Sequence, residues 1–211
     1  DHADHIKSVG TLANDYNLPI YATLNVHEGI KRNYCVSVKP AAENVFVLEK
    51  GEPICLDEFC ITPFEIPHDS SDNVGYSIQY GDINFCLITD CGHPTEYIGT
   101  YVSKANYLVL EANHDLDMLM MGPYPAHLKG RIRSGKGHLS NHETAKILTD
   151  YMTENLRHVW LCHLSEENNH PELARKTVDS HLRSFGIIAG KDFQLEVLKR
   201  RVPSIIYELN C

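Results

Sequence analysis

The chain has 211 residues, a hydrophobic share of 43% and a formal net charge of −9. This length predicts a single domain over residues 1–211, with enough apolar residues for a core. No apolar run reaches the roughly 18 residues that a membrane-spanning helix needs. Proteins that bind nucleic acid through bulk charge are usually basic, so this acidic chain could hold a phosphate substrate only through metal ions or a local basic patch.

Hydrophobic periodicity predicts the elements in chain order. Ile6 to Tyr16 has helical spacing, which places the opening residues in a loop that feeds a helix. Further helices are predicted at 27–34, 94–104, 141–155 and 171–185. Strands are predicted at 19–23, 44–49, 60–66, 75–80, 83–89, 107–110, 159–162, 193–198 and 204–209, with a hairpin turn at Gly81-Asp82. Antiparallel pairs come first and βα alternation follows, which indicates an α/β domain with a mixed sheet.

The chain contains seven cysteines and no C-x-x-C pair. Cys86 and Cys162 lie within apolar runs, so we interpret them as buried thiols. An odd number of cysteines without a regular spacing favours reduced thiols and a cytoplasmic location.

The first five residues, Asp1-His2-Ala3-Asp4-His5, form the back end of a His-x-His-x-Asp-His motif. Its first histidine would lie before Asp1, so we expect the chain to be a piece of a longer protein. Imidazole and carboxylate ligands suit Zn, Mn or Fe. Because neighbouring side chains diverge, His2 is expected on one ion and Asp4 with His5 on a second. The alternative is a polar turn in which Asp4 caps a helix.

Three further residues that can bind metal stand where predicted strands end: His68, Asp90 and His163. In α/β folds, ligands gather at the carboxyl ends of strands. Each residue alone could be a hydrogen-bonded strand-end histidine or an aspartate that opens a turn. Their occurrence together with the opening motif favours a metal site.

The order of these residues resembles the metallo-β-lactamase superfamily. Four strings resemble its YycJ branch, also called WalJ or VicX. They are Glu111-Ala112-Asn113-His114-Asp115, Gly122-Pro123-Tyr124-Pro125, Gly137-His138-Leu139-Ser140-Asn141 and His163-Leu164-Ser165-Glu166-Glu167-Asn168-Asn169. The resemblance covers essentially the whole chain. It implies an αββα four-layer sandwich whose first strands are missing here, with the site at the edge between the sheets.

The resemblance also implies a ligand set for two divalent ions, Zn or Mn or else Fe. His2 and His68, with the missing histidine, bind the first ion. Asp4, His5 and His163 bind the second, and Asp90 bridges the two. Ions about 3.5–4 Å apart turn a bridging water into hydroxide near neutral pH. Asp4 is also expected to orient that nucleophile. The chain should hold the second ion better than the first.

The superfamily hydrolyses β-lactams, thioesters and phosphodiesters, and the YycJ branch is similar to 5′-to-3′ DNA exonucleases. The resemblance therefore implies a phosphodiesterase with a nucleic acid substrate, DNA being favoured. His138 is a candidate phosphate ligand or leaving-group acid, although it could be a histidine of a helix cap. Ser140 and Asn141 begin a helix whose free N–H groups suit an anion. His114 is a weaker candidate.

The dense basic run Lys129, Arg131, Arg133 and Lys136 could follow a phosphate backbone, although such runs are also typical of solvated loops. Two alternatives stay open. One is a metallohydrolase of a small ester, thioester or cyclic phosphodiester, which the acidic charge favours slightly. The other is a non-catalytic regulatory module that keeps the fold. The identity of the metal and the oligomeric state stay open.

Overall fold

A mixed sheet of seven strands runs through the protein in the order β3-β4-β5-β6-β7-β8-β9, and a separate parallel pair joins β1 to β2. The computed structural model describes residues 1–210. The strands are β1 Ile20–Ala22, β2 Val45–Val47, β3 Ile54–Leu56, β4 Phe59–Glu65, β5 Val74–Tyr80, β6 Ile83–Ile88, β7 Tyr107–Glu111, β8 His158–Cys162 and β9 Gln194–Val197.

Eight α-helices accompany these strands within residues 1–210. They are α1 Ala3–Ile6, α2 Val9–Asp15, α3 Leu24–Arg32, α4 Glu96–Val102, α5 Leu116–Met121, α6 Ala126–Arg133, α7 Asn141–Tyr151 and α8 Pro171–Ser184, with a 3₁₀ turn at Ala42–Asn44. None of the helices in this part of the chain has both the length and the apolar character needed to cross a membrane.

Both faces of the central strands are covered. Successive side chains of a strand point to opposite sides of the sheet, so neighbouring residues belong to different clusters. Leu108 and Leu161 belong to the large core cluster, which also contains buried residues of α4, α7 and α8. Tyr107 and Trp160 lie on the other face, where Tyr207 from the C-terminal segment packs against them. The sheet is thus covered by helices on one side and by an aromatic cluster on the other.

The direction of the strands explains where a site can form. Strands β6 to β9 are parallel, and β4 is antiparallel to β5, which is itself antiparallel to β6. Strand β4 therefore runs in the same direction as β6, β7 and β8. Their four carboxyl ends meet at one edge of the sheet, where a fold of this class places its ligands.

Most predicted elements are present, and the hairpin turn at Gly81-Asp82 is confirmed. Several predictions differ from the structure. Asp4 and His5 of the opening motif lie in α1 and not in a loop, and helices α5 and α6 and strand β3 form where no element was predicted. Residues 204–209 are not a strand, because this segment crosses the sheet face, where Tyr207 contacts Trp160, and does not pair with the edge strand β9.

The cysteines are also arranged differently from the expectation. Cys55 and Cys60 form a disulfide across the hairpin of β3 and β4, because the register places them opposite each other. Cys86 is a buried free thiol as predicted, and Cys162 is free but only half-buried. Cys211 lies outside the described residues.

We predict that Leu108→Ala lowers the free energy of unfolding by about 2–5 kcal/mol, because it removes a fully buried side chain from the core. Ile206→Ala is the control, since Ile206 is 98% exposed. Urea denaturation followed by circular dichroism measures both. Equal midpoints for the two variants would contradict this account of the core.

Candidate metal centre

The strand ends bring together the side chains that the sequence singled out. His68 follows β4, Asp90 follows β6 and His163 follows β8. Helix α1 places the opening motif against them, and Ile6 anchors this helix in a small apolar cluster with Ile30 of α3. These candidate residues therefore come from four separate segments that meet at one edge of the sheet.

A first group of ligand atoms comes from His2, His68 and Asp69, all within 4.8 Å of one another. The Nε2 atom of His68 lies 3.2 Å from Nδ1 of His2. Asp69 is a member that the sequence analysis missed. Its carboxylate also accepts hydrogen bonds from Arg131, which holds the pKa of Asp69 below its usual range.

A second group contains Asp4, His5 and His163, again within 4.8 Å of one another. Asp4 Oδ2 lies 3.6 Å from Nε2 of both histidines. The Asp4 side chain is 66% exposed, so its carboxylate has room to bind a further group from solvent.

Asp90 lies between the two groups. Its Oδ2 is 2.9 Å from Nε2 of His5, and its Oδ1 is 3.8 Å from Nε2 of His68. Burial raises the pKa of this carboxyl, but the hydrogen bond from His5 and the neighbouring imidazoles outweigh burial and lower it. The contact with Asp90 in turn raises the pKa of His5. The structure thus groups His2 with His68, and Asp4 with His5 and His163, and places Asp90 between them.

Glu111 is the central residue that the sequence analysis did not single out. It ends β7 and is completely buried. Its Oε1 atom accepts hydrogen bonds of 2.8 Å from Nδ1 of both His138 and His163, and its Oε2 accepts one from the Cys91 amide. The sequence contained one signal of this role. Glu111 is an acidic residue directly after the apolar run Tyr107–Leu110, and this run lies between the predicted strands that end before Asp90 and His163.

The charges of Glu111 and its partners depend on each other. Burial raises the pKa of Glu111, but the hydrogen bonds from His138 and His163 outweigh it and lower that pKa. Burial likewise lowers the pKa of His163, whereas Glu111, Asp90 and Asp4 raise it from 6.5 to about 9. Without a metal ion, His163 therefore carries a proton at neutral pH, and Glu111 is a carboxylate.

The hydrogen bonds around the rings fit a metal centre. Glu111 binds Nδ1 of His163, and the carbonyl of Gly137 lies 2.9 Å from Nδ1 of His68. In both rings this leaves Nε2 facing the acidic residues. Metal-binding histidines are usually held in the same way, with the ring nitrogen that does not face the metal bonded to a carboxylate or a backbone carbonyl. Nitrogen and carboxylate donors with this support fit a divalent ion such as Zn²⁺ or Mn²⁺.

Gly137 is constrained by its close packing. A Cβ atom at this position would lie 2.1 Å from the carbonyl oxygen of Ile132, so no other residue fits without a shift of the backbone. The segment that follows brings His138 to Glu111 and places its Nδ1 3.5 Å from Asp90 Oδ1. His138 thus lies beside the two groups, within reach of Asp90.

The expected anion site at the start of α7 is already filled by protein groups. Ser140 and Glu143 form a capping box in which each side chain binds the backbone N–H of the other residue. The N–H of Asn141 donates to the carbonyl of His114. The N–H groups of Asn141 and Glu143, which were predicted to be free, therefore already have acceptors within the protein. His114 is buried and belongs to neither the first nor the second group.

A cavity of about 950 Å³ opens beside the second group. His5, His138 and His163 line it, together with Tyr124 and Arg131. A group of substrate size can therefore reach the histidines from solvent.

Comparison with known proteins is consistent with this geometry. Residues 1–164 match the family described as "Beta-lactamase superfamily domain". The metallo-β-lactamase fold protein YhfI from Bacillus subtilis superposes with a TM-score of 0.65 at 18% identity, covering 94% of this chain and 71% of that one. Zn²⁺-bound PqqB from Methylobacterium extorquens gives 0.63 at 19% identity, covering 93% and 66%. These similarities confirm the predicted fold, and the superfamily implies divalent metal ions.

Two relatives are closer in sequence. The exodeoxyribonuclease YycJ of Bacillus anthracis is 34% identical over 209 residues, which is 98% of this chain and 77% of that protein. The exodeoxyribonuclease WalJ of Streptococcus pneumoniae is 32% identical over 196 residues, 92% of this chain and 72% of that protein. The chain therefore belongs to the metallo-β-lactamase superfamily and, within it, to the YycJ/WalJ family.

We predict that Glu111→Gln lowers the pKa of His163 in the metal-free protein from about 9 towards 6.5, because the carboxylate is the main group that raises it. In the unchanged protein, the proton on His163 stabilises the fold at neutral pH, and this contribution is lost as the pH rises through about 9. NMR titration of the ring Cε1–H signals measures the shift. His158 is the internal control, since Glu196 is its acidic neighbour; an unmoved His163 titration would contradict the role of Glu111.

Proposed function

We propose that the protein is a metal-dependent phosphodiesterase that removes nucleotides from DNA. The observation that carries this proposal is the pair of ligand groups joined by Asp90 beside an open cavity. The printed names of the relatives, both exodeoxyribonucleases, support DNA as the substrate. The 5′-to-3′ direction rests on the resemblance of the sequence to the YycJ branch.

Two divalent ions would bind here. His2 and His68 would hold the first ion, and Asp4, His5 and His163 would hold the second. Asp90 would serve both, which its distances to His5 and His68 support. Bound ions of this kind lower the pKa of a water molecule and neutralise negative charge on a phosphoryl group.

Asp4 and His138 have the proposed catalytic roles. The exposed carboxylate of Asp4 accepts a hydrogen bond from the attacking water and orients it. His138 lies on the cavity wall with Nδ1 bound to Glu111, so its Nε2 is the atom left to donate a proton to the leaving oxygen. The carboxylate of Glu111 stabilises the charged imidazole that this transfer requires.

The charge around the site supports an anionic substrate. Residues 118–142 contain Lys129, Arg131, Arg133 and Lys136 and no acidic residue, although the whole chain carries −9. Lys129 donates to the carbonyls of Met120 and Gly122, and Arg131 binds Asp69. Arg133 donates only to the sulfur of Met120, a weak acceptor, among the bonds of the described residues, and the side chain of Lys136 is exposed, so these two are the ones we assign to phosphate contacts.

We predict that Asp90→Asn lowers metal-dependent hydrolysis of DNA by on the order of 100-fold or more, since it weakens a ligand shared by both ions. End-labelled single-stranded and duplex oligonucleotides measure the rate and the direction, with a chelator and with added Zn²⁺ or Mn²⁺. Asp82→Asn, in the exposed turn between β5 and β6, is the matched control.

Three outcomes would contradict the proposal. They are an unchanged rate in the Asp90 variant, no metal in the wild-type protein by elemental analysis, and hydrolysis of thioesters or cyclic phosphodiesters without hydrolysis of DNA. The last result would favour a small-molecule metallohydrolase.

We predict that the double variant Arg133→Ala/Lys136→Ala weakens DNA binding and makes it less dependent on salt. Each lost phosphate contact should reduce the slope of log K against log salt by about 0.7 for single strands. Fluorescence anisotropy at several salt concentrations measures this slope. The control is Lys104→Ala/Lys191→Ala, which removes the same charge outside the basic segment; equal effects from both pairs would argue against a specific path for DNA.

A further inference from the structure

Two of the residues at the strand ends have an unusual backbone conformation. The φ angle is +53° at Asp90 and +57° at His163, in the left-handed region that non-glycine residues rarely adopt. The other non-glycine residues with positive φ among residues 1–210, Asn17 and Asp57, lie in exposed turns. Strain of this kind persists only where the surroundings enforce it.

The same kind of hydrogen bond, from an asparagine side-chain amide to a backbone carbonyl, holds both strained residues. The side-chain amide of Asn73 donates a 2.8 Å hydrogen bond to the carbonyl of Asp90. The side-chain amide of Asn113 donates a 2.8 Å hydrogen bond to the carbonyl of His163. The two asparagines belong to different segments, one before β5 and one after β7, so the arrangement occurs twice independently in the fold.

Each asparagine is itself fixed by backbone hydrogen bonds. The N–H of Asn113 donates to Leu139, and its carbonyl accepts from Ser165, so Asn113 binds the chain at residues 163 and 165. Asn73 accepts a hydrogen bond from the N–H of Ile66 at the end of β4. Both amides are thus held by the sheet edge on which the ligand groups stand.

The turn after Asp90 is fixed over three successive residues. Asn73 binds the carbonyl of Asp90, Glu111 accepts from the N–H of Cys91, and the carbonyl of Pro67 accepts from the N–H of Gly92. The carbonyl of Asp90 requires a hydrogen-bond donor. Aspartate has the shape of asparagine but no N–H₂ group, so it cannot replace the amide.

From this geometry we infer that Asn73 and Asn113 are positioning residues of the metal centre. They hold Asp90 and His163 in the left-handed conformation that aims the carboxylate and the imidazole at the ligand groups. The inference rests on the proposed metal-dependent function. If φ relaxed to a negative value, the side chain would turn away, and only the fraction of molecules in the strained conformation would bind the ion.

The test measures the affinity for Zn²⁺ by competition with a chromophoric chelator, independently of DNA hydrolysis. We expect Asn73→Ala and Asn113→Ala to weaken binding by about 10–100-fold, the usual effect of removing a partner of metal ligands. Asn113→Asp keeps the size of the side chain and should also weaken binding. The absorption bands of bound Co²⁺ should change in the same variants, since they report the arrangement of the ligands.

Asn44 supplies the matched control. It is buried, and its side-chain amide donates a 2.9 Å hydrogen bond to the carbonyl of Ala13, away from the ligand groups. Asn44→Ala should lower the melting temperature of the metal-free protein and leave the Zn²⁺ affinity within about twofold. This comparison separates a general loss of stability from a loss of positioning.

The results distinguish the two proposals. Weaker Zn²⁺ binding in the Asn73 and Asn113 variants, with normal binding in the Asn44 variant, supports the positioning role. Wild-type affinity in both of the first two variants, or the same loss in all three, overturns the positioning role while the metal-dependent function stands. If the unchanged protein binds no metal ion, both fail together.

Discussion

A carboxylate without access to solvent must be compensated by hydrogen-bond donors, or its burial costs several kcal/mol. Glu111 is compensated by two imidazoles and by the amides of Cys91 and Leu139. These four donors belong to three segments that follow β6, α6 and β8. The need to satisfy one buried charge therefore fixes the relative positions of the loop after Asp90, the segment around His138 and the end of β8. It also sets which nitrogen of His163 faces the ligand groups.

The sheet makes this arrangement possible, and part of it could be read from the sequence. Apolar runs ending in Asp90 and His163 predicted parallel strands with polar ends, and residues at such ends meet at one edge. Glu111 was harder to identify because an acidic residue after an apolar run equally suits an exposed turn. Its role depends on the donors of other loops, which lie far away in sequence. Asp69 was missed for the same reason, since its contact with Arg131 joins distant segments.

The elements that the sequence mispredicted lack a local signal that decides their structure. The tail at 204–209 has the apolar residues of a strand, but its environment is the aromatic face around Trp160 and not a free sheet edge. Helices α5 and α6 are short and lie either side of Gly122-Pro123, a pair that is typical of loops. The left-handed conformations of Asp90 and His163 are likewise invisible in the sequence, because they arise from hydrogen bonds with residues on other segments.

The distribution of charge completes the physical picture. A chain with a net charge of −9 repels a polyanion at long range, and its site gathers further carboxylates. Divalent ions would reverse the sign of the field at the site, because each adds two positive charges where Asp4 and Asp90 concentrate negative ones. Two basic stretches supply further local attraction: the acid-free segment 118–142, and Lys199-Arg200-Arg201, of which Lys199 and Arg200 line the cavity. A phosphate substrate would therefore meet positive charge beside the histidines, so that binding of the metal and binding of the substrate depend on the same edge of the sheet.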